Sequence, residues 1–483
     1  MKKYKKIILV HVPIDVKYLN ATTLFAPPLG LLSIKSYLET KSENFDVQIL
    51  DGMILTQEEI ELEISKLHPD FVGLSVQLLS YKNALTIARL AKDIGAFVFL
   101  GGHHATQIAP QIMMRQYKSI DCVICGDGEK AVFNICSGAK LEDVLNIVFY
   151  DQHSRGITTN EREDLDFKLP ELPNPYKAKN INFTPYKEKL QNSRFKFNHG
   201  AYYRIYSHKG CPYRASSEKN SNSEKKKCVF CGRADRGYRF TTVENYFLYF
   251  KLLCVNENDF VFDVGDDLLG KENWVRKAVE YKEKYFETDL NIGTYGRGDR
   301  INDSIAKLLQ RLGVKDITVG IESGDDSVLS GIGKNICSSN TYLKAARILF
   351  ENGISMTPSY VFGLPGETRR TVDNTIQHAQ KIIALSNDIM GMAPNEIVAN
   401  LLEPLPGSEA FNVLVKAFPQ KYLDNDELEL YEMQKDYFSL IYNFKTDREY
   451  ELYRKEIRVA GKEINGLAEF SDSQGWLADE MLL

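Results

Sequence analysis

Strand-like and helix-like stretches alternate through the first part of the chain. Runs with the length and apolar content of buried strands are separated by segments whose apolar residues recur with a helical period. Apolar strands alternating with amphipathic helices are typical of a parallel sheet covered on both faces. The pattern predicts an α/β, doubly wound (Rossmann-like) domain over residues 1–150. Its predicted strands are 5–12, 46–51, 71–76, 96–100 and 122–125.

A second alternation of strands and helices occupies residues 203–408. In the stretch 151–202 the periodicity fades and prolines stand among charged residues, which predicts an ordered linker. The second alternation has six strand–helix units, too few for a closed barrel of eight. Residues 409–483 are helical in pattern and rich in Tyr, Glu and Lys. The predicted strands of the second unit are 203–207, 260–264, 290–294, 316–321, 356–362 and 396–402.

Composition limits the compartment and the partners. The 483 residues carry a net charge of −5, which gives no general attraction to nucleic acid. No run of eighteen apolar residues occurs, so the sequence predicts no membrane span. Eight cysteines in a chain of this length do not form a disulfide scaffold. Because the first apolar run also lacks a cleavage site, we expect a cytoplasmic protein.

Three cysteines collect after the first strand of the second unit. Cys228 and Cys231 are separated by two residues, the spacing that lets both thiolates face one metal centre. Cys211 lies upstream, with sixteen residues between it and Cys228. Three thiolates on a loop after a strand suit a 4Fe–4S cluster with one iron left open. A zinc site with His208 as fourth ligand and a redox-active thiol pair are the alternatives at this point.

The cysteine region has a recognisable form. The stretch Gly210-Cys211-Pro212-Tyr213, followed by Cys228-Val229-Phe230-Cys231, resembles the cluster loop of radical S-adenosylmethionine (SAM) enzymes, in the form found in their cobalamin-dependent branch. That family usually has three residues where this chain has sixteen. The excess, residues 215–227, is polar, and the closure entropy of a loop grows only logarithmically with length, so we expect a solvated excursion beside an intact cluster. The resemblance implies a 4Fe–4S cluster on Cys211, Cys228 and Cys231, with SAM on the open iron.

The same resemblance implies that the second unit is an open, partial (β/α)6 barrel with its chemistry at the carboxyl ends of the strands. Motifs at those ends match the family, above all Gly320-Ile321-Glu322-Ser323-Gly324 and Gly363-Leu364-Pro365-Gly366-Glu367. Two alternatives stay open: a helix N-cap role for the acidic pair 266–267, and a structural ion pair for Arg297. The SAM contacts that the resemblance implies are Phe230, Asp266, Asp267, Arg297, Glu322, Ser323 and Gly363.

Glycines and polar residues mark the carboxyl ends of the strands in the first unit, where ligands of such sheets bind. No G-x-G-x-x-G follows the first strand, which argues against a dinucleotide. Turn glycines of any α/β domain are one interpretation. The stretches 27–32, 72–75, 100–103 and 126–129 also resemble a cobalamin-binding domain. The cobalamin contacts implied by that resemblance are Pro28, Leu29, Gly30, Ser75, Gln77, Gly101, Gly102, His103, Gly126 and Glu129.

Cobalt ligation by a histidine is not expected. Met53 stands at the position where a methionine synthase type of relative carries its cobalt-ligating histidine. The resemblance therefore implies cobalamin without a histidine ligand at that position, and His103 and His104 are interpreted as loop polars.

The resemblance implies an enzyme that cleaves SAM reductively to a 5′-deoxyadenosyl radical. We expect methyl transfer from cobalamin to an unactivated carbon of a small-molecule substrate, with electrons from a donor such as flavodoxin or ferredoxin. The basic excursion 215–227 is either a docking edge for that donor or a loop without a role. The functional alternatives are a ring-forming or oxidative reaction that uses cobalamin for electron transfer, and a sensor without turnover. The Arg297 and Glu322 motifs argue against the sensor.

Overall fold

A computed structural model describes residues 4–14, 25–162, 169–191, 199–214, 228–334, 337–394, 397–465 and 470–471. The predicted excursion over residues 215–227, with its expected docking role, lies outside these ranges.

The first sheet confirms the predicted doubly wound domain. Its strand order within the described residues is β2-β1-β3-β4-β5-β6-β7, and the pairs from β2 to β5 are parallel. Along β1, Ile7 and Leu9 enter one core while Ile8 and Val10 enter the other, so the strand is apolar without interruption. The strands are β1 Lys5–His11, β2 Phe45–Asp51, β3 Phe71–Ser75, β4 Phe97–Gly101, β5 Cys122–Ile124, β6 Ile147–Asp151 and β7 Gly156–Thr159.

Helices cover both faces of this sheet. The second helix begins with a capping box, in which Thr56 accepts from the Glu59 N–H and the Thr56 N–H donates to the Glu59 carboxylate. The sixth ends at Gly138, whose φ of +94° favours glycine. The helices are α1 Leu29–Lys41, α2 Gln57–Leu67, α3 Tyr81–Asp93, α4 His103–Gln107, α5 Ala109–Gln116 and α6 Glu129–Ser137.

The strands β6 and β7 form an antiparallel hairpin that extends the sheet beyond β5. Asp151 stabilises the turn by accepting from the N–H groups of His153 and Ser154. The apolar pattern does not predict β7, because its sequence GITT carries only one large apolar residue.

The second sheet confirms the predicted partial barrel. Its order within the described ranges is β16-β15-β14-β13-β12-β11-β8, with every pair parallel. The six predicted strands correspond to β8 and β11 to β15, whereas β16 is too short to leave a periodic signal in the sequence. The strands are β8 Tyr202–Ile205, β11 Phe260–Asp263, β12 Asn291–Gly296, β13 Val314–Glu322, β14 Ser355–Phe362, β15 Ile397–Leu401 and β16 Phe470–Ser471.

Helices connect the barrel strands and continue into the C-terminal region, as predicted. The predicted C-cap Gly313 has a φ of +103°. The helix α7, Thr184–Gln191, precedes the first barrel strand, β8. The connecting helices are Val243–Leu252, Glu272–Tyr285, Asp303–Leu312, Asp326–Gly331, Ser339–Glu351 and Arg369–Met390. The C-terminal helices are Glu409–Ala417, Pro419–Tyr422, Leu430–Tyr442 and Asp447–Asn465.

The C-terminal region also contacts the first domain. The buried Asp426 carboxylate accepts from the Tyr81 hydroxyl at 2.7 Å and from the Gln116 amide at 2.9 Å. Among the described residues, no helix is long and apolar enough to cross a membrane.

Candidate functional site

A short hairpin frames the three cysteines. Strand β9, His208–Gly210, pairs antiparallel with β10, Tyr238–Phe240, and Gly210 stands opposite Tyr238. Gly210 has a φ of +86°, and a Cβ there would clash with the carbonyl of Gly237. The two ends of the cysteine loop are therefore held together at its base, whatever the length of the excursion within it.

The cysteines themselves lie at the surface of this loop. Each is partly exposed, and the Cys231 N–H donates to the Cys228 carbonyl at 3.0 Å. Burial raises the pKa of the Cys228 thiol to about 11, and the neighbouring thiols of Cys231 and Cys211 act in the same direction. Among the described residues, no three His, Cys, Asp or Glu side chains converge closely enough to hold a metal ion. The thiols are neighbours, but their side chains do not form a closed ligand set.

His208 is not available as a fourth ligand. Its Nε2 accepts the Asp267 N–H at 2.9 Å, and its Nδ1 lies 2.8 Å from the Ser207 hydroxyl. The ring stacks on Phe240, and burial lowers the pKa of His208 to about 3. Both ring nitrogens are thus engaged inside the barrel, which removes the fourth ligand that the zinc alternative requires. Three thiols with an open side fit a 4Fe–4S cluster instead.

Cationic side chains surround the cysteines. Arg214 lies 3.9 Å from the Cys231 Sγ and pairs with Asp235 at 2.8 Å. Arg233 pairs with Asp235 at 3.1 Å and with Asp266 at 2.7 Å. Guanidinium groups at this place favour the negative charge of a thiolate-ligated centre. Sequence reasoning missed Arg214, Arg233 and Asp235, and their nearness to the cysteines along the chain was the available signal.

The acidic pair after β11 divides between two environments. Asp266 lines the cleft between the domains, whereas Asp267 is fully buried and lies 3.2 Å from the Arg300 Nε. Burial raises the pKa of Asp267 to about 6, although Arg300 opposes the shift. Asp267 precedes a short helical turn without capping it through its side chain, so the structure does not favour the N-cap alternative for this residue.

Arg297 forms an ion pair, which the sequence left open as an alternative to a contact with SAM. Its Nε donates to Asp299 at 3.0 Å. Its guanidinium also lies over the ring of Tyr213, 5.1 Å from the centroid, and the Tyr213 hydroxyl donates to the Gly333 carbonyl. Arg297 is therefore placed beside the cysteine loop, against Tyr213, which stands two positions after Cys211.

Glu322 ends β13 in an unusual conformation. Its φ is +69°, and the pairing of β13 with β14 shifts register between Gly320 and Glu322. The carboxylate accepts from the Lys334 ammonium at 2.8 Å, a partner that the sequence pattern does not predict. Burial alone would lower the pKa of Lys334, but Glu322 and Cys228 more than offset it and raise the pKa. Strain and charge are thus concentrated next to the cysteines.

Ser323 and Gly363 have structural contacts of their own. The buried Ser323 hydroxyl lies 3.2 Å from Thr375 and accepts the Asp325 N–H. Gly363 has a φ of +87°, and its N–H donates to the Glu367 carboxylate at 2.9 Å. A Cβ at Gly363 would clash with the ring of Phe438, a residue of the C-terminal region. The C-terminal helices therefore help to shape the rim of the barrel.

A cleft opens where the carboxyl edge of the first sheet meets the cysteine hairpin. A cavity of about 270 Å³ has walls from both units, and a second of about 150 Å³ continues between α1 and the sheet. A Cβ at Gly102 would lie 2.7 Å from the Val76 carbonyl, so this wall needs glycine. The predicted cobalamin contacts that line the two cavities are Leu29, Gly30, Ser75, Gly101, Gly102, His103, Gly126 and Glu129.

Two predicted cobalamin contacts lie elsewhere. Pro28 lines a separate cavity of about 390 Å³ on the side of β2. Gln77 is exposed and begins the turn Leu78–Ser80. Phe230, predicted to contact SAM, packs against the barrel core through its ring.

From the sequence, His103 and His104 are interpreted as polar residues of a loop, but the structure places both in helix α4, and they differ in their surroundings. The Nδ1 of His103 accepts the Ala234 N–H at 3.2 Å, so its hydrogen resides on Nε2. Burial lowers the pKa of His103, which keeps the ring neutral. His103 therefore offers the cleft an N–H and no lone pair. His104 is buried edge-on against Tyr81.

An ion-pair cluster joins the first domain to the cysteine hairpin. Asp127 lies 2.7 Å from the Lys209 ammonium and 2.8 Å from the Arg239 guanidinium. Burial alone would raise the pKa of Asp127, but the two cations outweigh it and lower the pKa to about 2. Glu129 accepts from Ser33 at 2.5 Å and lies 3.7 Å from Lys209. Lys209 and Arg239 are register partners, so both hairpin strands contact one carboxylate.

Comparison with known proteins places these two units in known families. The model of the B12 binding domain matches residues 17–135, and that of the Radical SAM superfamily matches residues 224–379. The second match begins within the excursion, after Cys211. With its parallel sheets, its cleft and both matches, the chain belongs to the cobalamin-dependent radical SAM enzymes. Cobalamin, SAM and a 4Fe–4S cluster are the cofactors of that class.

Individual relatives are distant. The chain is 27% identical over 397 residues to an uncharacterized methyltransferase of Pyrococcus horikoshii, with 79% of each chain covered. It is 23% identical over 444 residues to the anaerobic magnesium-protoporphyrin IX monomethyl ester cyclase of Rubrivivax gelatinosus, covering 87% of this chain and 69% of the relative.

The fold is similar to that of solved structures, of which OxsB is an example. The cobalamin-dependent S-adenosylmethionine radical enzyme OxsB, solved with aqua-cobalamin and SAM bound, aligns with a TM-score of 0.66 at 17% identity. The alignment covers 88% of this chain and 62% of OxsB, so the chain spans less than two thirds of that protein. At this identity the likeness concerns the fold.

Proposed function

We propose that this enzyme transfers a methyl group to an unactivated carbon of a small-molecule substrate, using cobalamin in the interdomain cleft and SAM at a 4Fe–4S cluster. The observation that carries the proposal is the shared cavity. One wall is the glycine-rich edge at Gly102 and His103, and the other is Arg233 and Asp266 beside the cysteine loop. A substrate between these walls would lie between the residues proposed to hold the two cofactors.

In this proposal Cys211, Cys228 and Cys231 hold the cluster, and the edge lined by Leu29, Gly30, Gly101, Gly102 and Gly126 holds cobalamin. When bound, these groups supply one-electron reductive cleavage of SAM and a transferable methyl group. The electrons come from a one-electron donor such as flavodoxin or ferredoxin.

The residues of the chain bind and orient. Arg297 has five N–H donors and uses only part of them on Asp299, so it can donate to the SAM carboxylate. Glu322, held by Lys334, presents acceptors for the SAM amine or ribose. Gly363, whose missing Cβ leaves room for the Phe438 ring, contacts the adenine through its backbone in this proposal. Ion pairs such as Lys209–Asp127 hold the first domain against the cysteine hairpin.

A second candidate is a ring-forming reaction in which cobalamin transfers electrons. It is favoured by the similarity to the Rubrivivax gelatinosus cyclase, which extends over 87% of this chain. The relative of Pyrococcus horikoshii, with the higher identity, carries the methyltransferase name and favours the first candidate.

The two candidates differ in what they release from SAM. The reconstituted protein is reduced anaerobically with SAM and cobalamin, and the products are separated by liquid chromatography and mass spectrometry. Methyl transfer predicts S-adenosylhomocysteine and methylcobalamin alongside 5′-deoxyadenosine. Release of 5′-deoxyadenosine without S-adenosylhomocysteine or methylcobalamin would support the ring-forming candidate and contradict the methyltransferase.

A further inference from the structure

The helix α4 of the first domain contacts the cysteine loop directly after its third cysteine. The Gln107 amide donates to the carbonyls of Gly232 and Arg233, each at 3.2 Å. One turn earlier, His103 accepts the Ala234 N–H at 3.2 Å. Residues four apart share one face of a helix, so these two side chains bind consecutive residues of the loop.

Gln107 also lies against a third segment of the chain. Gly407, in the loop after β15, has a φ of +89°, and a Cβ there would clash with the Gln107 side chain. A Cβ at Gly232 would lie 2.9 Å from the Pro406 carbonyl, so the same loop packs on the cysteine segment. The Gln107 amide thus lies where the first domain, the cysteine loop and the end of the barrel meet.

The other flank of the cysteine loop is held by the same domain. Lys209, two residues before Cys211, and Arg239 on the opposite strand both pair with Asp127. The first domain therefore contacts the chain before the first cysteine and after the third. Contacts on both sides of the three cysteines therefore oppose a rotation of the cysteine loop relative to the first domain.

We propose that Gln107 is a positioning residue that fixes the cluster-bearing loop relative to the cobalamin edge of the first sheet. The inference rests on the proposed function. Reactions between two bound groups depend steeply on their spacing, and a displacement of about 1 Å can cost on the order of a hundredfold in rate. Gln107 lines neither of the cleft cavities, so its effect is transmitted through the loop.

The test uses the full-length protein with Gln107→Met, which keeps the length of the side chain and removes its N–H donors. The matched control is Gln380→Met, at an exposed helical position. In the protein without cofactors, amide hydrogen exchange over residues 232–236 should accelerate about fivefold in Gln107→Met, because two hydrogen bonds are lost. The control should exchange like the unmodified protein.

With both cofactors bound, the spin–spin coupling between the reduced cluster and cob(II)alamin is measured by electron paramagnetic resonance. Gln107→Met should keep its iron and cobalamin content but show an altered coupling. Gly407→Ala places a methyl group against the Gln107 side chain, so this variant should alter the spin–spin coupling too. Unchanged exchange and coupling in both variants would overturn this inference alone. Failure of the unmodified protein to bind cobalamin or a cluster would overturn the proposed function and the inference with it.

Discussion

Asp127 of the first domain and Arg239 of the cysteine hairpin lie 2.8 Å apart, carboxylate to guanidinium. Since Lys209 approaches the same carboxylate from the neighbouring strand, one acidic residue holds both strands of the hairpin. Asp127 and Lys209 also line the cleft between the domains, so this ion-pair cluster forms part of its wall.

Replacement of Asp127 by Asn should destabilise the protein. The change removes the carboxylate that Arg239 and Lys209 share, while Glu129 stays 3.7 Å from Lys209, and we expect a loss of about 2 to 3 kcal/mol in the free energy of unfolding. This loss is at the low end of what breaking a buried ion pair costs, because Lys209 keeps 22% of its side chain exposed. Urea unfolding measures the loss, with Asp143→Asn at an exposed position as control.

The pH dependence of this contribution has a definite sign. The pKa of Asp127 is lowered to about 2 in the folded protein, so its stabilising effect is present above about pH 4 and is lost as the pH falls toward 2. A difference between Asp127→Asn and the unmodified protein that persists undiminished at pH 2 would contradict the ion-pair account.

Glu367 should show the opposite pH dependence. Burial raises its pKa to about 7, although the Gly363 N–H and the Tyr453 hydroxyl oppose the shift. A carboxyl with a raised folded pKa contributes its stability at low pH and loses it as the pH rises toward 7. Glu367→Gln, which stays neutral, should therefore gain about 3 kcal/mol relative to the unmodified protein between pH 4 and pH 8.

Asp263 and Asp267, whose pKa values are raised to about 6 by burial, titrate in both proteins. Their effect therefore cancels when the two free energies of unfolding are subtracted at each pH. The exposed Glu287→Gln serves as control. A difference that does not change with pH would show that the Glu367 carboxyl is not held in its neutral form.

Gly363 and Gly366 provide a matched pair within one motif. Both have positive φ, +87° and +80°, but only at Gly363 would a Cβ meet another atom, the ring of Phe438. Gly366→Ala should cost about 1 kcal/mol from its backbone conformation alone. Gly363→Ala should cost about 2 kcal/mol more, because the packed ring must move. Equal losses in thermal unfolding would contradict the packing seen at Phe438.

His208→Ala should lower stability without removing iron. The ring accepts the buried Asp267 N–H and contacts Ser207, so we expect a loss of about 2 kcal/mol or more. Iron per folded chain after anaerobic reconstitution should match that of the exposed control His153→Ala. A specific loss of iron would reinstate His208 as a ligand.

The sequence predicted the elements whose signal is local. Uninterrupted apolar strands such as Ile7–Val10 follow from burial on both faces, and the Gly313 cap follows from its need for a positive φ. The strand β7 escaped prediction because GITT has too few large apolar residues, and β6 was missed although IVFYD carries the apolar run of a buried strand. The two-residue β16 depends entirely on its partner β15.

At the site, sequence reasoning missed Arg233 and Asp235 although they lie close to the cysteines along the chain, and it missed other residues that are defined by long-range contacts. Lys334 pairs with Glu322 where the register of β13 shifts, and Gln107 reaches the cysteine loop across 125 positions of the chain. No spacing rule connects such residues. The SAM contacts proposed from motifs, such as Arg297 and Glu322, stay predictions until a bound complex is measured.

The central claim is that the three cysteines support reductive cleavage of SAM. Its most direct test is the release of 5′-deoxyadenosine by the anaerobically reconstituted, reduced protein, quantified by mass spectrometry for the unmodified chain and for single Cys→Ala variants. We predict release by the unmodified protein and by the exposed control Cys254→Ala, and its loss in Cys211→Ala, Cys228→Ala and Cys231→Ala. Release that survives Cys211→Ala, or its absence from the unmodified protein with a full cluster, would contradict the account.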